Sequence, residues 1–183
     1  MFDLVESERL ILKRYEKEDA EILFNSIKQN LEHLSEVMVQ PVKELSSVND
    51  TEQLIDMINK FWDDKERFVI PIWLKESKLL VGESYIGSFN SEETEGEIGY
   101  FLFEEFQGKG FAYEATKALI QKSFENLSLK RIWLKCDSDN YRSIKLALKC
   151  GFIEQKDNLN QTRIKSDNTE INILTFFLDK QSS

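Results

Sequence analysis

Glycine is scarce in this chain, seven among 183 residues, and four of the seven are Gly96, Gly99, Gly108 and Gly110. The stretch Glu97-Ile98-Gly99-Tyr100-Phe101-Leu102-Phe103 reads as a strand. It runs through Glu104-Glu105-Phe106 into Gln107-Gly108-Lys109-Gly110-Phe111-Ala112, where a helical pattern begins. A helix N-terminus presents unpaired N–H groups and a partial positive charge, so it attracts anions. Glycines there let the backbone close on a phosphate with no Cβ in the way. The spacing therefore offers a phosphate cradle, and an empty glycine-eased turn is its plainer reading. Two nucleotide motifs do not fit: Lys109 is followed by Gly110 rather than Ser or Thr, and Tyr113 stands where a dinucleotide loop needs glycine.

Other chemistries are narrowed by what the chain contains. His33 is the one histidine, which excludes His-rich zinc sites and the HExxH arrangement. A serine triad would have to use His33 and lacks a GxSxG elbow. Cys136 and Cys150 form no CxxC pair, which suits a reducing, cytoplasmic setting; Cys136, ending a strand with no base beside it, reads as a buried thiol and Cys150 as inert. The N-terminal MFDLVESERL carries acids and no apolar core, so no secretory signal is expected. No metal is expected.

The balance of 24 Lys+Arg against 33 Asp+Glu gives a formal charge of −9. That argues against broad binding to nucleic acid or an anionic membrane. It suits a cationic partner. Glu32, Glu36, Asp63, Asp64, Asp157, Asp167 and Glu170 are candidates for an acidic rim, or else for solvated faces.

The elements that must hold the cradle follow from periodicity. Arg9 to Tyr15 reads as a strand, and Ala20, Leu23, Phe24, Ile27, Leu31 and Leu34 recur at helical spacing. Residues 41–48, with Pro41, read as loop. A second helix runs from about Asp50 to Asp64. Phe68–Leu74, Leu79–Phe89 and Glu95–Phe103 read as a three-strand meander, with Pro71 marking an edge or a bulge. A helix from Gly110 to Asn126, a strand Arg131–Cys136, a short helix Ser143–Lys149 and strands near Phe152–Lys156 and Ile171–Leu178 complete the order. This predicts one α+β domain over residues 1–183, a mixed, mostly antiparallel sheet flanked by helices. Trp62, Trp73 and Phe61 read as core or dimer packing in preference to an acceptor pocket, and Tyr100 as aromatic packing.

Gln107, Gly110 and Ala112 form a QxxGxA segment that resembles the acyl-CoA pyrophosphate loop of the GNAT N-acetyltransferase superfamily. Asn140-Tyr141-Arg142-Ser143 followed by Gly151-Phe152 looks like the family's second motif. Arg9-Leu10, Asp19-Ala20 and the Glu-Ile-Gly-Tyr strand are similar to the RimJ/RimL branch, cytosolic enzymes that acetylate protein N-termini, ribosomal proteins among them. The resemblance implies acetyl-CoA as cosubstrate and an amine acceptor, with homodimeric association. It places the backbone of Tyr100, Phe101, Leu102 and Phe103 against the pantetheine amides, with an N–H near Phe101 or Leu102 polarising the thioester. The N–H groups of Gln107, Gly108, Lys109, Gly110, Phe111 and Ala112 would hold the pyrophosphate. Asn140 would bond the pantetheine arm and Ser143 would lie near the sulfur as the acid. Glu97 is the implied base, with a structural acid as its alternative. Two departures matter: Ala147 stands where many members have a tyrosine acid, and Thr162 where RimL-like members have a glutamate base. Polyamine or aminoglycoside acetylation, and a catalytically degenerate CoA-binding module, remain open on the residues alone.

Overall fold

The structure, a computed structural model, describes residues 4–34, 42, 44–156 and 161–181. The expected loop at Pro41 and the acids Glu36 and Asp157 lie outside the described residues.

Alternation in the middle of the chain becomes three consecutive antiparallel strands, β3 (Arg67–Leu74), β4 (Leu80–Gly87) and β5 (Glu95–Leu102). Before them come β1 (Leu4–Glu6), β2 (Leu10–Lys13), α1 (Ala20–Gln29), α2 (Leu31–Leu34) and α3 (Val48–Asp63). After them come α4 (Phe111–Asn126), β6 (Arg131–Asp137), α5 (Tyr141–Lys149), β7 (Ile153–Glu154), β8 (Thr162–Ile164) and β9 (Glu170–Asp179). The strands lie in the order β1-β2-β3-β4-β5-β6-β9-β7, with β8 on β9. Among the described residues only β5 and β6 run parallel, because α4 carries the chain back between them; the other pairs are antiparallel. The sheet is thus mixed and mostly antiparallel, with helices flanking it.

The helices form where capping and apolar spacing agree. The Ser47 hydroxyl accepts from the Asp50 amide while the Asp50 side chain accepts from the Ser47 amide, a reciprocal cap that starts α3. Its buried stripe is Leu54, Ile55, Ile58 and Trp62. α4 buries Phe111, Ala115, Leu119 and Ile120. Together with Leu10, Leu12, Ile70, Ile72, Ile86 and Phe103 these make one core.

Four differences from the sequence expectation have physical reasons. The single helix read over Ala20–Leu34 breaks at Asn30, whose side-chain Nδ2 donates to Ser26 O at 3.0 Å while its Oδ1 accepts from the Glu104 amide at 2.9 Å. A side-chain amide that bonds local backbone competes with the helix ladder, and here it also ties α1 to the segment after β5. β1 and β8 are three residues each, too short for a period to register. α5 starts at Tyr141, two residues before the expected Ser143. Pro71 sits in the interior strand β3, but the β2 pairing stops at Ile72 and the register to β4 shifts between Ile72 and Trp73. The bulge expected beside Pro71 is therefore present, and the edge is not. Among the described residues no helix is long and apolar enough to cross a membrane.

Candidate active site

The site begins where two strands part. β5 and β6 pair from Glu95↔Arg131 to Ile98↔Leu134 and no further. β5 continues beside β4 to Leu102, and β6 continues beside β9 to Asp137. From Gly99 onward the side of β5 that faced β6 has no strand partner among the described residues. Such an edge offers unpaired N–H and C=O groups to anything that can lie along it. At the split itself Gly99 leaves no room for a side chain: a Cβ there would stand 2.2 Å from Cε1 of Tyr85, whose ring crosses the glycine.

A cavity of about 500 Å³ opens at this split. Gly99, Tyr100 and Phe101 form one wall, and Cys136, Asn140 and Ser143 another. Leu54, Met57, Ile58 and Phe61 of α3 close it over the sheet. Of the aromatics read as core, Phe61 lines this cavity. Trp62 is buried with its Nε1 donating to Val69 O at 2.8 Å, and Trp73 is buried.

Beyond the split the chain turns into the glycine loop. Gly108 and Gly110 hold φ of +74° and +83°, left-handed backbone that a side chain strains. Gly110 is the N-cap of α4 and no side chain caps that end, so the first-turn N–H groups are left without a side-chain partner there. The loop is braced from the N-terminal strands. Arg9 donates from Nη1 to Lys109 O at 3.1 Å and from Nε to Glu114 at 2.7 Å, and its guanidinium lies 4.5 Å from the Phe111 ring centre. Burial pushes the Glu114 carboxyl up, but bonds from the Arg9 amide, the Ser7 hydroxyl and the Arg9 side chain outweigh it, and Glu114 sits below its ordinary value. Gln107 bridges two helices, accepting from Arg142 Nη1 at 2.5 Å and meeting His33 Nε2 at 2.5 Å. The lone histidine therefore contacts the loop.

Asn140 and Ser143 sit together at the other wall. Asn140 Oδ1 accepts from the Ser143 amide at 3.1 Å, which makes Asn140 the cap of α5. The Tyr100 hydroxyl donates to Ser143 Oγ at 3.1 Å. Tyr100 is thus more than aromatic packing. Burial pushes its phenol up to about 12, so it stays protonated at neutral pH.

The carboxylates divide differently from the expectation. Glu97 does not line the cavity. Its Oε1 accepts from the Tyr85 hydroxyl at 2.9 Å and its Oε2 pairs with Lys135 at 2.8 Å. Glu83, opposite Phe101 in the β4–β5 register, does line it. Burial pushes its carboxyl from 4.5 up to about 7, against a bond donated by the Tyr15 hydroxyl. Sequence reading missed Glu83, though an acid inside Leu80-Val81-Gly82-Glu83-Ser84-Tyr85-Ile86 was a usable signal. Thr162 is exposed on β8, and Ala147 is fully buried. Burial pushes the Cys136 and Cys150 thiols up to about 11, which makes both poor nucleophiles. None of Glu32, Asp63, Asp64, Asp167 and Glu170 lines the cavity; Asp63 pairs with Arg14 and Asp64 with Lys60.

A parallel pair that opens beside a glycine loop defines a class, and comparison with known proteins supplies the same one. The fold matches that of a RimL ribosomal-protein α-N-acetyltransferase solved with coenzyme A, with a TM-score of 0.82 over 97% of this chain and 98% of that one at 16% identity. Among sequence relatives, the uncharacterized N-acetyltransferase p20 of Bacillus licheniformis is 32% identical over 96% of this chain and 95% of its own length. The ribosomal-protein-serine acetyltransferase of Escherichia coli is 36% identical over 46% of this chain and 48% of its own. A spermidine N(1)-acetyltransferase of Vibrio cholerae is 29% identical over 57% of this chain and 60% of its own. The family described as the acetyltransferase (GNAT) domain matches residues 9–153. The chain belongs to the GNAT acetyltransferase family and is an N-acetyltransferase of that type.

Proposed function

We propose that this chain moves the acetyl group of acetyl-CoA to a primary amine, with a peptide or protein α-amine as the acceptor, by direct attack in a ternary complex. The observation that carries the reading is the β5–β6 split, with the part-buried Glu83 lining the cavity that opens there. The residues fit acetyl-CoA. The open edge of residues 99–102 matches an extended pantetheine arm, and the uncapped N–H groups from Gly108 to Ala112 match a pyrophosphate. The relatives named for ribosomal-protein acetylation and the RimL fold favour an α-amine; the spermidine relative favours a small polyamine.

The chemistry follows from where protons must go. An attacking amine has to lose one, and Glu83, titrating near 7, is placed to take it. The reacting carbonyl gains negative charge, which a backbone N–H on the open side of β5, that of Leu102, can stabilise. When the carbon–sulfur bond breaks, the sulfur needs a proton. Ser143 accepts its hydrogen bond from Tyr100, so its own hydrogen is available to the sulfur; Tyr100 passes its proton to Ser143 and regains one from water. Glu97, held by Tyr85 and Lys135, has the place of a structural acid beside this route.

Ser143→Ala is expected to lower kcat roughly 100-fold. Tyr100→Phe is expected to lower it less, because Ser143 keeps its hydroxyl. Steady-state release of free thiol with a saturating peptide measures both, and equal rates in all three proteins would remove Ser143 from the mechanism. The acceptor class is tested by mass spectrometry of a peptide and spermidine incubated together with the enzyme and acetyl-CoA. Acetylation of the peptide α-amine supports the reading, and acetylation of spermidine alone defeats it.

A further inference from the structure

The charges around the cavity constrain the acceptor further, and this inference rests on taking the cavity as the acceptor site. Besides Glu83, the charged side chains lining it are Arg67, Lys135, Asp137 and Arg163. Lys135 is neutralised by Glu97, and Arg163 by Asp137 at 2.5 Å. Arg67 has no carboxylate partner among the described residues. It is nonetheless held in place. It pairs in register with Gly87, and a Cβ on that glycine would lie 2.9 Å from Arg67 Cγ, so the missing side chain seats the arginine stem. Its guanidinium then rests over the Tyr85 ring, 5.7 Å from the centre.

Tyr85 stands two residues along β4 from Glu83, a step of about 6.6 Å. The cavity lining thus combines a proton acceptor, apolar surface from Met57, Phe61 and Val69, and an exposed cation with no carboxylate partner among the described residues. The geometry points to an acceptor that is a peptide α-amine followed by an acidic side chain at the third residue. In an extended peptide, residues one and three are separated by the same step of about 6.6 Å and face the same way. A polyamine would bring a second ammonium toward Arg67, where like charges repel.

The test is a charge swap. Two peptides, Ser-Leu-Asp-Ala-Gly and Ser-Leu-Lys-Ala-Gly with amidated C-termini, are compared by kcat/KM in the wild type, Arg67→Ala and Arg67→Glu. Acetyl-CoA binding is followed separately by thermal melting. The wild type is expected to favour the aspartate peptide about tenfold. Arg67→Ala should abolish the preference and Arg67→Glu should reverse it, both with an unchanged acetyl-CoA melting shift. A wild-type preference for the lysine peptide, or a preference that survives Arg67→Glu, overturns the proposal while leaving acetyl transfer standing. A missing melting shift together with no turnover on either peptide overturns both.

Discussion

Glu83→Gln is expected to abolish turnover while leaving acetyl-CoA binding intact. Loss of a positioned base costs roughly 10²–10⁴ in rate, and Gln keeps the shape of Glu83 and can still accept from the Tyr15 hydroxyl. The wild type should show kcat/KM rising with pH through about 7, since Glu83 must be ionised to accept a proton and its carboxyl is pushed up to about 7. The variant should lack that limb. A second readout separates this role from a structural one. The unfolded chain releases the Glu83 proton near the ordinary value of 4.5, and the folded chain keeps it to about 7. Between those values the folded state binds more protons, so the stability that neutral Glu83 contributes is complete below 4.5 and is lost as pH rises through 7. Gln carries no such penalty. Its melting temperature should match the wild type near pH 4.5 and exceed it by several degrees at pH 8. A variant that is both inactive and less stable at pH 8 would contradict the assignment.

Gly110→Glu is expected to remove acetyl-CoA binding. Gly110 holds a φ of +83° at the uncapped start of α4, a conformation that costs a side chain roughly 1–2 kcal/mol. The new carboxylate would also stand at the N–H groups that hold a pyrophosphate. Its Cβ would lie 3.5 Å from Arg9 Nη2, so it would also compete for the arginine that braces the loop. Titration calorimetry should show affinity for acetyl-CoA reduced at least about 100-fold, with Gly110→Ala intermediate because it brings strain without charge. Unchanged affinity in Gly110→Glu would mean that the loop holds no phosphate.

These two positions show what a sequence can reveal about such a site. Gly110 was legible because its signal is local: glycines at fixed offsets between a strand and a helix. The order of elements was legible for the same reason, and the helix break at Asn30 was not, because its partner Glu104 is 74 residues away. Glu83 was illegible as a base for a related reason. Its strand neighbours are Pro71 and Phe101, 12 and 18 residues away, and its bond comes from Tyr15, 68 residues earlier. Glu97 drew attention because it opens the Glu-Ile-Gly-Tyr strand, yet the groups that occupy it, Tyr85 and Lys135, stand 12 and 38 residues away. The acidic composition suggested an acidic rim, but the described acids that might have formed it do not reach the cavity. The parting of β5 from β6 is a matter of register, which hydrophobic alternation alone does not encode.

The split beside Gly99 and the loop at Gly110 are together expected to hold acetyl-CoA. Thermal melting of the wild type with saturating acetyl-CoA, against ATP and NAD at the same concentration, tests it most directly. Ligand at 100 times its dissociation constant adds about 2.7 kcal/mol, which at this size raises the melting temperature by several degrees. That rise is expected with acetyl-CoA and none with ATP or NAD. No rise at millimolar acetyl-CoA, or an equal rise with all three, would contradict it.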